Sequence, residues 1–178
     1  KVVRMGLLRR TRKDDMDVAS CLSNIDRLRA VASSGLADMA STHELDVLAR
    51  VTSHRLRTPM AFVSIVDHGT VYFAGADGIS GELAETRQNS AEASYCQYVV
   101  ALDDVLVVND SLHDPLVRDH PATTDGGVRA YLGVPLRLDG QCLGSFCVVD
   151  VRPRRWSDDD LAQLQTLAQE ALELPTAS

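Results

Sequence analysis

The order of helical and extended segments predicts an α+β domain on a mostly antiparallel sheet. Two helices, two strands, a short helix, three strands and a long helix follow one another without the βαβ alternation of a parallel sheet. The strands MAFVSIV (60–66) and CLGSFCVV (142–149) hardly alternate in polarity, so both sheet faces are covered and a three-layer arrangement results. Asp139-Gly140 stands between two apolar runs, a strong signal for a tight hairpin.

Ser23 is expected to cap a helix over Asn24–Ser33, with Ile25, Leu28, Val31 and Ala32 as its apolar stripe and Gly35 as its stop. Thr42 opens a second helix, on which Leu45, Leu48, Ala49, Thr52 and Leu56 share one face until Thr58-Pro59 ends it. His54 falls opposite that face and is expected in solvent. Met60–Asp67 and Thr70–Ala76 read as a hairpin around His68-Gly69. Glycines 75, 78 and 81, with Asn89 and Ser90, mark residues 77–92 as a loop, followed by a short helix over Ala93–Ala101. Val105–Asp110 is a strand. A polar stretch with Pro115, Pro121, Gly126 and Gly127 leads into the paired strands Val128–Leu138 and Gln141–Asp150. Ser157 caps the last helix, and Asp158, Asp159 and Asp160 fill its first turn, where the helix dipole favours negative charge. Leu161, Leu164, Leu167, Ala168, Ala171 and Leu174 form its stripe.

At 178 residues, 45% hydrophobic and 24% charged, the chain has the make-up of one folded domain. Six of its eighteen Lys and Arg lie in Lys1–Lys13, so twelve remain against twenty-five acids, a net −13 that disfavours nucleic acid as a partner. The basic start reads as a linker segment over residues 1–22, with the folded domain over 23–175. Lys1 stands where a methionine would begin a whole chain, which reads as a fragment of a longer protein. No apolar run approaches the ~18 residues of a membrane span, so no membrane is implied and the cytoplasm is the expected location. Cys21, Cys96, Cys142 and Cys147 lack C-x-x-C spacing, consistent with a reducing compartment.

His113-Asp114-Pro115 and Asp119-His120-Pro121 are turn dipeptides without metal-ligand spacing, so no metal is expected. Ser94 lies in no G-x-S-x-G, and FAGADGISG lacks the spacing of a phosphate cradle. Cys142 and Cys147, five apart on one strand, are expected on opposite faces as core residues. Cys96 reads either as a buried, inert thiol or as one whose pKa is lowered by the start of a short helix.

The motifs, taken in order, resemble a GAF domain of the kind found in bacterial sensor kinases, cyclases and phosphatases. The resemblance covers about residues 25–172 and rests on Arg27-Leu28 with Gly35-Leu36, FVSIVD (62–67), Phe73 with Gly78 and Ser94-Tyr95-Cys96. It continues through VVND (107–110), Asp114-Pro115, YLGVPL (131–136), LGSFCVVD (143–150) and Pro153-Arg154. It implies a five- or six-stranded antiparallel sheet with the terminal helices on one face and a small-molecule pocket with short helices on the other. The positions matching the family's pocket walls are Phe62, Ser64, Phe73, Tyr95, Cys96, Asn109, Asp110 and Tyr131.

The only lysines are Lys1 and Lys13, outside the domain, so the Asn, Lys, Phe, Asp, Glu signature of cyclic-nucleotide-binding members is not met. Leu112–Arg129 holds no cysteine for a bilin, and no cofactor is named by these residues. The resemblance therefore implies a non-catalytic sensory or regulatory domain in bacterial signalling that binds a small ligand or dimerises, and controls an output domain or partner. Homodimerisation is expected through the stripes of the terminal helices. The alternative is a thiol-based redox enzyme or sensor using Cys96, similar to the methionine sulfoxide reductases of the family.

Overall fold

A computed structural model describes residues 16–37 and 42–174; the basic run Lys1–Lys13 lies outside them. A short helix α1 (Val18–Leu22) is capped by the Asp17 carboxylate, which accepts from Ser20 N–H. Helix α2 (Ile25–Ser34) is capped by Asn24 rather than Ser23: Asn24 Oδ1 accepts from Arg27 N–H at 3.0 Å, while Ser23 Oγ turns back to the Ala19 carbonyl. Gly35, at φ 69°, ends α2 as expected.

The buried side of α2 carries Arg27 and Val31, and Ile25 is 63% exposed, so the apolar stripe expected on Ile25, Leu28, Val31 and Ala32 is rotated. The guanidinium supplies the reason. Arg27 donates through Nε to Cys21 O (3.2 Å), through Nη2 to Leu22 O (2.8 Å) and through Nη1 to Val66 O (2.6 Å), with Asp67 O and Cys142 O just beyond. A cation with its donors filled this way can be buried, although burial still pulls its pKa down from the usual guanidinium value.

Helix α3 (Thr42–Leu56) buries Leu45, Leu48, Ala49, Thr52 and Leu56 and leaves His54 exposed, as its spacing predicts. Strands β1 (Met60–Val66) and β2 (Thr70–Asp77) form the expected hairpin. Residues 77–92 are more ordered than a loop, containing α4 (Gly81–Thr86) and the short strand β3 (Gln88–Ser90). Arg87 holds them in place: it ends α4 at φ 52°, pairs with Asp46 of α3 at 2.7 Å and donates to the Phe73 carbonyl. That long-range anchoring leaves no local pattern. Helix α5 (Cys96–Leu102), β4 (Leu106–Val108), α6 (Pro121–Thr124), β5 (Ala130–Leu138), β6 (Gln141–Asp150) and α7 (Asp158–Glu173) follow.

The six strands form one antiparallel sheet in the order β3-β2-β1-β6-β5-β4. Asp139 and Gly140, both at positive φ, make the β5–β6 turn. Ser157 and Asp160 close a capping box on α7. The α+β, three-layer expectation is met: α3 and α7 cover one face, α5 the other, and α1 packs on α5.

Two further expectations are corrected. The α7 stripe is spent on the domain's own sheet, where Leu161, Leu164 and Leu167 are buried; only Leu174, at the helix end, is exposed. Cys142 and Cys147 share a face. Register shifts by one because Leu136 pairs with Gly144 and Arg137 with Cys142, leaving Leu143 as an extra residue on β6. That bulge reverses the parity that strict alternation gives. Among the described residues no helix is long and apolar enough to cross a membrane.

Candidate functional site

Along β1, Ala61, Val63 and Ile65 enter the core under α3 and α7, while Phe62, Ser64 and Val66 face α5. Neighbouring strands add to the α5 side in register: Phe62 lies opposite Cys147 of β6, which lies opposite Gly133 of β5, and Ser64 lies opposite Ser145. Phe73 of β2 joins Phe62 with ring centroids 5.0 Å apart. From the other side come Tyr95, just before α5, and Cys96, its first residue.

Tyr131 connects these pieces. Its ring lies over Gly133, where a Cβ would collide with the Tyr131 hydroxyl and Ser145 Oγ, so glycine at 133 is a packing requirement. The hydroxyl then reaches Ser145 Oγ at 3.0 Å and Cys96 Sγ at 3.5 Å. Tyr95 packs edge-on to Tyr131 and His120 and hydrogen-bonds Thr123. His120 stands between Tyr95 and Tyr98 and contacts Gln97 at 3.2 Å.

The electrostatics centre on sulfur. Interaction with Cys147 brings the Cys96 thiol down to about 6, against burial, with Ser94 and Tyr131 adding smaller help. Burial pushes Cys147 well above the ordinary thiol range, and Tyr131 above the ordinary phenol range. Cys142 is pushed up to about 11 by burial and the nearby Asp103 charge. Helix α5 has only seven residues, and the lowering of Cys96 comes from hydrogen bonds rather than from a helix start. Ser64 Oγ is fully buried beside both sulfurs yet has no hydrogen-bond partner.

The fold thus brings together six of the eight residues singled out from sequence: Phe62, Ser64, Phe73, Tyr95, Cys96 and Tyr131. Asn109 and Asp110 lie apart. Exposed Asn109 accepts from Trp156 N–H at 3.1 Å, tying β4 to the start of α7. Asp110 accepts from Leu112 N–H and pairs with His113 at 2.8 Å. Cys147, Ser145 and Gly133 were not singled out, because only the β1–β6–β5 register makes them neighbours of Cys96 and Tyr131. Two surface grooves, of about 520 Å³ beside α7 and β5 and about 450 Å³ beside Tyr98 and His120, are lined by none of the eight. Among the described residues no three His, Cys, Asp or Glu cluster as metal ligands would.

The GAF domain family model matches residues 43–172. A cyclic di-GMP phosphodiesterase of Pseudomonas aeruginosa is 35% identical over 126 residues, which cover 69% of this chain and 20% of the relative; the chain thus spans about a fifth of that relative's length. Two solved structures superpose at TM-score 0.62 and 15% identity. One is the GAF domain of a phosphoenolpyruvate-protein phosphotransferase from Coxiella burnetii, with 89% of this chain and 94% of that one covered. The other is a type II free methionine-R-sulfoxide reductase from Thermoplasma acidophilum, with 78% and 94% covered. These findings overturn the expectation that the chain is non-catalytic. The relative is named as a phosphodiesterase and a reductase shares the fold, so the resemblance gives no ground for excluding enzymatic activity.

Proposed function

The chain belongs to the GAF domain family, and from that premise we propose that it is a sensory unit of bacterial signal transduction. The output it controls, in the same chain or in a partner, turns over cyclic di-GMP. The observation that carries this reading is the 35% identity to part of a cyclic di-GMP phosphodiesterase, over a stretch that is only a fifth of that protein. The ligand is a small molecule of mixed polarity held between α5 and the sheet by Phe62, Ser64, Phe73, Tyr95, Cys96 and Tyr131. Ser64 Oγ supports this placement, as a buried hydroxyl without a partner is a donor in search of an acceptor. The domain works in the cytoplasm, in keeping with four free cysteines.

It acts as a homodimer whose seam is the outer side of α2, where Ile25 is exposed. Native mass spectrometry of the freshly purified chain, compared with its denatured mass, tests both points. A dimer carrying extra mass that is lost on denaturation supports the reading; a bare monomer at micromolar concentration overturns the dimer, and a bare mass in the presence of cell extract overturns the ligand. Ile25→Asp is expected to split the dimer without loss of folding.

A further inference from the structure

We propose that Cys96 and Cys147 form a two-thiol site that a small hydroperoxide oxidises to a disulfide joining α5 to β6. The proposal goes beyond the sensory reading and needs no bound ligand. Three observations carry it. The two thiols come from different elements, the first turn of α5 and the middle of β6, and share one buried cluster: Cys147 lies opposite Gly133, and the Tyr131 hydroxyl that sits over Gly133 is 3.5 Å from Cys96 Sγ. Donors surround Cys96 on several sides: Tyr131 Oη lies 3.5 Å from its sulfur, and Ser94 and Ser64 lie beside it. Ser64 Oγ, wholly buried and without a partner, is available to an anionic sulfur.

Burial selects the oxidant. Cys96 and Cys147 are 3% and 2% exposed, which excludes a bulky disulfide such as oxidised glutathione. Half-buried Ser94 touches both the Cys96 amide, at 3.2 Å, and its sulfur, placing the thiol one residue from solvent and within reach of a small neutral peroxide.

The reaction balances in two steps. The Cys96 thiolate attacks the terminal oxygen of the hydroperoxide; an S–O bond forms, the O–O bond breaks, and the leaving alkoxide takes up the proton that Cys96 released on ionising. Cys147 sulfur then attacks the Cys96 sulfenic acid; the S–S bond forms, the S–O bond breaks, and water leaves with the Cys147 proton. The two thiols are oxidised by two electrons and the peroxide is reduced to alcohol and water.

The whole chain, treated with hydrogen peroxide between pH 5 and 8 and digested under thiol-blocking conditions, tests this directly. The expected result is a Cys96–Cys147 linked peptide, intact Cys21 and Cys142, a raised melting midpoint and full reversal by dithiothreitol. The oxidation rate should fall about tenfold per pH unit below the point where Cys96 protonates. Cys147→Ser should stop at a Cys96 sulfenic acid that a cyclic dione traps. Survival of both thiols in the folded wild type overturns the proposal, as does wild-type Cys96 ending as an unlinked sulfinic acid or a link through Cys21 or Cys142. None of these results depends on the ligand or dimer masses that test the sensory reading.

Discussion

The two faces of the sheet are built from different chemistry. Under α3 and α7 the core is almost wholly aliphatic, with Leu45, Leu132, Leu136, Leu143, Leu161, Leu164 and Leu167 closed to solvent. Under α5 the same strands present aromatic rings, thiols and hydroxyls, including a hydroxyl with no partner. Aliphatic packing is non-directional and supplies stability. A buried polar cluster adds little net stability and much specificity, because each donor constrains its neighbours. One face is therefore where this domain is held together, and the other is where its reactive and polar side chains are gathered.

Substitutions can break that contrast, beginning with the largest effect. Leu164→Ala, in the aliphatic face, should cost about 3 kcal/mol in urea unfolding, since a fully buried leucine leaves a cavity that neighbours only partly fill. Losing under 1 kcal/mol there would mean that α7 is not an integral wall. Gly133→Ala should cost about 2 kcal/mol by pushing the Tyr131 ring off its seat. It should also raise the titration point of Cys96 by withdrawing the Tyr131 hydroxyl, which thiol alkylation rate against pH would follow.

The pH dependence of stability sharpens the contrast further. Cys96 is held down to about 6 in the folded chain against about 8.5 unfolded, so across that window the unfolded state binds the extra proton. Stability from this group is present in full above pH 8.5 and is lost as pH falls through 6. Above pH 8.5 the raised Cys147 and Cys142 act in the opposite sense, and stability declines again. The melting midpoint should therefore climb from pH 6 to about 8.5, and Cys96→Ser should flatten that climb. The smallest effect belongs to Ser64→Ala, which removes an unsatisfied buried hydroxyl and should be neutral or stabilising by up to about 1 kcal/mol. A clear loss of stability would show that Ser64 has a partner after all.

Legibility in the sequence follows the same division. The aliphatic face is written in local periodicity, and Leu45 to Leu56, the Ser157 cap and the Asp139-Gly140 turn appear where spacing puts them. The α5 face depends on register. Cys147 becomes the neighbour of Cys96 only once β1, β6 and β5 are aligned, and the extra Leu143 on β6 turns Cys142 to a side that alternation denies it. Asn109 and Asp110 sit next to the strand β4 in sequence, but the chain has already turned away to clip Trp156 and His113. On α2 an arginine displaced the apolar stripe because it reaches the carbonyls of Val66 and Cys142, which no window of the helix contains.

Those carbonyls give Arg27 a mechanical meaning. Its guanidinium bonds the end of α1, through Cys21 and Leu22, to the last residue of β1, and lies against β6 at Cys142. All of these hydrogen-bond partners are main-chain oxygens, and the nearby Asp67 charge adds to the hold on the cation. Arg27 is thus a keyed joint that ties the ends of the two central strands to the helical corner through main-chain oxygens.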